Sequence, residues 1–168
     1  MQEQIKIYDN VLDDGLRQFL VNKFFGLKTW ELHGSETKEE INDSKIVRNF
    51  FYSPIADETI NHLFTYHLRR LIEKRFKVVR SYVNCYSLNN GSDWHQDDGE
   101  LTFLYYPQDW KQEYGGETII KIDDREVPVS YKSNRLLVFP AKLYHKAKPH
   151  TNPVGFRFTV AFKTEEKE

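Results

Sequence analysis

Trp94-His95-Gln96-Asp97-Asp98 is the stretch on which the reading of this chain turns. On extended backbone successive side chains alternate faces, so His95 and Asp97 project together while Gln96 and Asp98 project the other way. A His-x-Asp pair alone is a weak signal. His145, fifty residues further on, adds a second imidazole, and Arg157 follows twelve residues after that. Two imidazoles and one carboxylate form a set that binds Fe(II) on one face and leaves the opposite positions open. The third ligand must then arrive on a distant strand. His150 competes with His145, but a strand through His145 sends a residue five positions later to the opposite face, and Pro149 and Asn152-Pro153 place it in a turn.

The sequence around this stretch has the matching texture. From Lys77 onward it breaks into short β-rich runs: Val78 to Leu88, Leu101 to Tyr106, Glu117 to Ile122, Arg125 to Val129, Arg135 to Phe139, Leu143 to Ala147 and Gly155 to Phe162. Turn material separates them, including Asn89-Asn90-Gly91-Ser92, Gly115-Gly116 and Asp123-Asp124. Before Lys77 the pattern differs. Ile5 to Tyr8 reads as a short strand. A helix capped by Asp13 or Asp14 carries Leu16, Phe19, Leu20 and Phe24 and stops at Gly26. Residues 31 to 45 are polar and read as a surface loop. A second helix is expected from Ala56 to Phe76, with Ile60, Leu63, Phe64, Leu68 and Ile72 on its inner side. Helices first and many short strands after predict an α+β, mainly β, sandwich or open barrel backed by N-terminal helices. The expected organisation is a single domain over residues 1–168, with 1–76 as helical support and 77–163 as the β core. Thr164 to Glu168 reads as a solvated tail.

Composition narrows the class. Hydrophobic residues make up 39% of the chain and aromatics 15%, which excludes a disordered segment. A formal net charge of −1 argues against a partner held by bulk electrostatics, whether nucleic acid or membrane. One cysteine, Cys85, leaves no intramolecular disulfide and fits a reducing compartment, where it reads as a small buried hydrophobe. The first residues lack an apolar signal core and no run approaches transmembrane length. A cytoplasmic protein is expected.

From Tyr82 to Lys163 the chain resembles the 2-oxoglutarate/Fe(II)-dependent dioxygenases, most closely their prolyl 4-hydroxylase-like branch. Tyr86 stands nine residues before His95, where that family carries a co-substrate-binding tyrosine. Gly115-Gly116-Glu117-Thr118 is similar to its Gly-Gly-Glu-Thr turn, and Asn134 to Pro140 resembles the strand leading to the second metal histidine. Gly155-Phe156-Arg157 resembles the Gly-x-Lys/Arg that takes the distal carboxylate of 2-oxoglutarate, with Thr159 two residues on. The family often has lysine where this chain has Arg157, and its glycine between Tyr86 and His95 arrives late here, at Gly91. The resemblance implies a double-stranded β-helix (jelly-roll). It implies His95, Asp97 and His145 as catalytic metal ligands, and Tyr86, Arg157 and Thr159 as co-substrate contacts. Fe(II), 2-oxoglutarate and O₂ are the implied cofactor and co-substrates, with succinate and CO₂ as co-products.

The substrate is less determined by sequence. The closest branch implies hydroxylation of a peptidyl proline or another protein side chain. Asn84-Cys85-Tyr86, His95-Gln96-Asp97 and Arg157-x5-Lys163 also come close to the AlkB-type demethylases, with Lys163 in place of a second arginine. The Gly-Gly-Glu-Thr turn, the approach to His145 and the near-neutral charge favour a peptide or protein partner over nucleic acid. A free amino acid or small molecule is a further alternative, and an inactive metal-binding jelly-roll is the least expected.

Overall fold

A computed structural model describes residues 5–34, 49–72, 75–153 and 155–166 of the chain. Among these residues ten strands and two α-helices form in the order β1 (Lys6–Asp9), α1 (Asp14–Phe25), β2 (Glu31–Gly34), β3 (Asn49–Pro54), α2 (Glu58–Leu71), β4 (Phe76–Ser87), β5 (Leu101–Tyr106), β6 (Thr118–Ile122), β7 (Arg125–Val129), β8 (Arg135–Pro140), β9 (His145–Ala147) and β10 (Phe156–Glu166). The strands make a seven-stranded sheet, β1-β8-β5-β10-β4-β3-β2, and a three-stranded sheet, β7-β6-β9. Every pairing is antiparallel. The fold is the double-stranded β-helix that the sequence implied.

Alternation along the strands divides the interior into two layers. Val83, Phe103, Tyr105, Leu136, Val138, Val160 and Phe162 leave one face of the large sheet and pack under Leu20 and Phe24 of α1 and Phe64 and Leu68 of α2. Phe64 stacks on Phe162 with ring centroids 4.4 Å apart. The other face carries Tyr82, Leu104, Tyr106, Leu137, Phe139 and Ala161, which meet Ile120 and Val129 of the small sheet. The functional side chains belong to this second layer, between the sheets.

Both helices begin on aspartate caps. The side chain of Asp13 accepts from the backbone of Leu16, and that of Asp57 from Thr59. Asn134 sits at φ 58°, and its side chain holds the chain before α1 through the backbone N–H and C=O of Leu12.

Three expectations need correction. Residues 31–34 are not loop but β2, an edge strand whose polar residues suit an exposed position (Glu31 and Leu32 are exposed); the rest of the expected loop, 35–45, lies outside the described residues. The second helix ends at Leu71, and Phe76 opens β4 instead. Of the expected solvated tail, residues 164–166 are strand: β10 runs to Glu166, and Thr164 is buried with its hydroxyl donating to the Leu101 carbonyl; 167–168 lie outside the described residues. The long β4 supplies a partner for that extension. β3 was not anticipated at all.

Candidate active site

His95 lies just outside the small sheet and joins it by a bridge, exchanging backbone hydrogen bonds of 3.0 and 2.9 Å with His145 at the start of β9. Two residues on, the backbone N–H of Asp97 donates to Ala141 at 2.8 Å. These pairings fix the His95–Asp97 segment against the chain carrying His145. Ligand atoms of His95, Asp97 and His145 consequently lie within 4.8 Å of one another. Gln96 and Asp98 turn away: Gln96 donates to the Lys142 carbonyl, and exposed Asp98 pairs with Arg80 at 2.9 Å.

Each imidazole is oriented from behind. Nδ1 of His95 lies 2.8 Å from the Asp93 carbonyl, and Nδ1 of His145 lies 2.9 Å from that of Leu143. A carbonyl can only accept, so Nδ1 carries the proton in both rings and Nε2 faces the cluster. Nε2 of His145 lies 3.2 Å from Oδ2 of Asp97, and Nε2 of His95 lies 4.0 Å from Oδ1. The two bare ring nitrogens and Oδ1 of Asp97 therefore converge, and a proton or a metal ion would relieve them. Burial, with His145 as neighbour, pushes the His95 imidazole down to about 4 and keeps it neutral. Burial alone would raise the Asp97 carboxyl, but a proton taken up on Nε2 of His145 when no ion is held, together with the Lys163 ammonium, holds it well below the usual carboxylate range. Two imidazoles and a carboxylate, each oriented by a carbonyl or hydroxyl behind it, can hold a divalent ion such as iron.

The opposite end of the same cavity is built around Arg157, which is 1% exposed. Its guanidinium lies 5.2 to 5.9 Å from the ring centroids of Tyr86, Tyr106 and Tyr131. Nη2 donates to Thr118 at 3.4 Å, while Nε and Nη1 find no hydrogen-bond partner among the described residues. A buried guanidinium with two free N–H groups is costly to leave so and is suited to a carboxylate, which it grips as a planar fork. Gly116 makes the room. Its φ is +76°, and a Cβ there would sit 3.1 Å from Arg157 Cδ and 3.1 Å from His150 Cβ.

A narrow cavity joins the two ends. Tyr86, His95, Asp97, His145, Arg157 and Thr159 all line it. The sequence alone did not single out Ser92 and Thr102, which line it too, and offered Asn84, Thr118 and Lys163 only as motif positions. The signal for several was strand alternation: Tyr82, Asn84 and Tyr86 share a face of β4, and Arg157, Thr159, Ala161 and Lys163 share one of β10. Lys163 is buried, with Nζ on Asp97 Oδ2 and 3.3 Å from the Thr102 hydroxyl. Burial pushes the Tyr86 phenol up to about 12, so it remains a donor.

His150, the competitor of His145, and several neighbouring side chains resolve into structure. His150 is fully buried with both nitrogens used, Nε2 on the Tyr86 carbonyl at 3.1 Å and Nδ1 accepting from Asn152 at 3.3 Å. Tyr105 belongs to the helix-side core, and Trp110 packs on Tyr131 and His150. Burial pushes the Cys85 thiol up to about 12, far from a nucleophile. Lys146, which lines the cavity, places its Nζ 4.2 Å from the ring centroid of Trp94.

Comparison with known proteins agrees with this geometry. Residues 81–162 match the family model described as the 2OG-Fe(II) oxygenase superfamily. A PKHD-type hydroxylase of Gloeothece citriformis is 24% identical over 153 residues, covering 89% of this chain; the chain spans 63% of that protein's length. A 2OG-Fe(II) oxygenase family oxidoreductase from Burkholderia pseudomallei superposes with a TM-score of 0.74 at 13% identity, covering 97% of this chain and 85% of its own. A prolyl hydroxylase from Trichoplax adhaerens, solved with a hypoxia inducible factor peptide, gives 0.69 at 19% identity, covering 96% and 83%. At these identities the two structures speak for the fold.

Proposed function

Since residues 81–162, which carry every side chain of the cavity but Lys163, belong to the 2OG-Fe(II) oxygenase superfamily, we propose that the chain is an oxygenase acting on an unactivated C–H bond of a peptidyl prolyl or other protein side chain. The observation that carries the reading is the pairing of two ends in one cavity. Proton-free donors of His95, Asp97 and His145 converge at one, and the unpartnered N–H groups of Arg157 wait at the other.

In this reading His95, Asp97 and His145 hold Fe(II). Arg157 takes the distal carboxylate of 2-oxoglutarate as a charge-assisted fork, and Tyr86 and Thr159 complete the grip with hydroxyls. The iron and co-substrate together supply O₂-dependent oxidising power, with succinate and CO₂ as co-products. The protein's own part is positioning and exclusion. The carbonyls of Asp93 and Leu143 keep both Nε2 atoms bare and aimed inward. The cage of tyrosines removes water from Arg157, which strengthens each of its contacts to an incoming carboxylate.

A protein substrate is supported by the peptide bound to the Trichoplax neighbour and by a near-neutral chain that offers little attraction to phosphate. The test is succinate release from 2-oxoglutarate with Fe(II), alone and with proline-containing peptides, with a methylated oligonucleotide in parallel. Peptide-stimulated turnover with a product heavier by one oxygen is expected. Stimulation by the oligonucleotide alone would transfer the chain to a demethylase, and absence of any turnover would remove the enzyme reading.

A further inference from the structure

Lys163 is the one buried cation at the metal end of the cavity among the described residues, and the proposed chemistry gives it no part. It lies six residues beyond Arg157 on the same face of β10, opposite Arg80 of β4 and Thr102 of β5. An apolar side chain would fill this place at far lower cost, since a buried ammonium must be compensated. Its compensation is Oδ2 of Asp97, with the Tyr82 ring centroid 5.5 Å away and the Thr102 hydroxyl at 3.3 Å. Thr102 itself donates to the same Oδ2 at 2.7 Å.

We propose that Lys163 is a positioning residue which, with Thr102, occupies Oδ2 of Asp97 so that the carboxylate offers a metal ion Oδ1 alone. The inference rests on the reading of His95, Asp97 and His145 as metal ligands. A carboxylate oxygen has two lone-pair directions, and the Thr102 and Lys163 donors use both directions at Oδ2. Oδ1, on the side of His95, retains its capacity. Attachment through one oxygen leaves more of the metal's coordination sphere for the co-substrate. The ammonium also cancels the charge of Asp97, so a divalent ion held here keeps its full attraction for a dianionic co-substrate. The device trades metal affinity for co-substrate affinity.

The test uses Mn(II) as an air-stable probe, with calorimetric titration of Mn(II) and then of 2-oxoglutarate into the Mn(II)-loaded protein. Lys163→Met removes the cation at similar length, and Thr102→Val removes the second donor without changing charge. Both variants are expected to bind Mn(II) more tightly, Lys163→Met by about tenfold, and to bind 2-oxoglutarate more weakly by a similar factor, each tenfold step being about 1.4 kcal/mol. Unchanged affinities in folded variants would make Lys163 a plain structural cation and overturn the proposal. Weaker Mn(II) binding would overturn it as well, because the donors would then be helping the ligand rather than restricting it. If Lys163→Met does not fold, Thr102→Val decides in the same directions. If the wild type takes up no Mn(II), the fault lies with the metal reading itself and both fall.

Discussion

The residues that matter most here differ from their neighbours by a single position in sequence. Asp97 is buried beside Nε2 of His145, whereas Asp98 is exposed and pairs with Arg80. Asp97→Ala is expected to abolish divalent metal binding, measured by Mn(II) titration, and Asp98→Ala to leave it within about twofold, since exposed ion pairs contribute under about 1 kcal/mol. Equal losses would reverse the assignment. Arg157 gives a sharper case. Its unpartnered N–H groups store free energy that only a ligand releases, so Arg157→Met should melt no lower than the wild type while losing stabilisation by 2-oxoglutarate. Thermal denaturation with and without 2-oxoglutarate reads both effects, and a large drop in melting temperature without the ligand would contradict it. The six residues singled out in the sequence meet in one cavity because each sat in a motif or at an i+2 step. Of the partners of Arg157, Tyr86 and Thr118 stood in motifs, but Tyr106 and Tyr131 were not legible in this way. They come from separate parts of the chain, and no spacing relates them before the sheets close.

At the scale of elements, the sequence was most readable where turn residues bound a run, as in β5 and β7, whose bounds match the expected ones. It failed where polarity and pairing disagreed. β2 and the end of β10 are polar, yet their backbones are claimed by neighbouring strands. β3, Asn-Phe-Phe-Tyr-Ser-Pro, has aromatics on both faces and so lacks the two-residue rhythm that marks a strand. The end of β10 makes a testable claim. Ending the chain after Lys163 removes buried Thr164, whose carbonyl accepts from Glu100, and should cost about 2–4 kcal/mol by denaturant unfolding. A loss below about 0.5 kcal/mol, the usual scale of surface changes, would restore the tail reading. β1 is held to β8 by a cross-strand pair, Asp9 with Arg135 at 2.7 and 3.1 Å, reinforced by Lys132. The hydrogen bond from Arg135, with the nearby Lys132, lowers Asp9 to about 2 from its ordinary 3.8. A carboxyl depressed on folding stabilises above its unfolded value and loses that contribution as pH falls through the folded one. Asp9→Asn should therefore melt below the wild type at neutral pH, with the gap closing between about 4 and 2; a gap constant across that window would show the pair is energetically silent.

For the whole molecule, the seven-stranded sheet divides labour between its faces. One face is sealed by helices and supplies hydrophobic stability, while the other meets the small sheet and holds charged groups that weaken it. Ligands that satisfy those groups should stabilise the entire fold. A metal at a hundredfold excess over its Kd is worth about 2.7 kcal/mol, so a chelator should lower the melting temperature of metal-loaded protein. No change on chelation would disconnect the histidine cluster from metal binding.

β10 lies between β4 and β5 in space but follows both in sequence. During synthesis on the ribosome the strands flanking it emerge first, with a gap where the middle of the sheet will be. The nascent chain therefore carries both histidines and the aspartate before it carries Arg157, Thr159 or Lys163, and it presents two open strand edges meanwhile. Such edges are templates for wrong pairing, and a cell making this protein quickly exposes them in many copies at once. The late strand thus sets the moment when the cavity becomes competent and also the interval in which the chain most needs a chaperone.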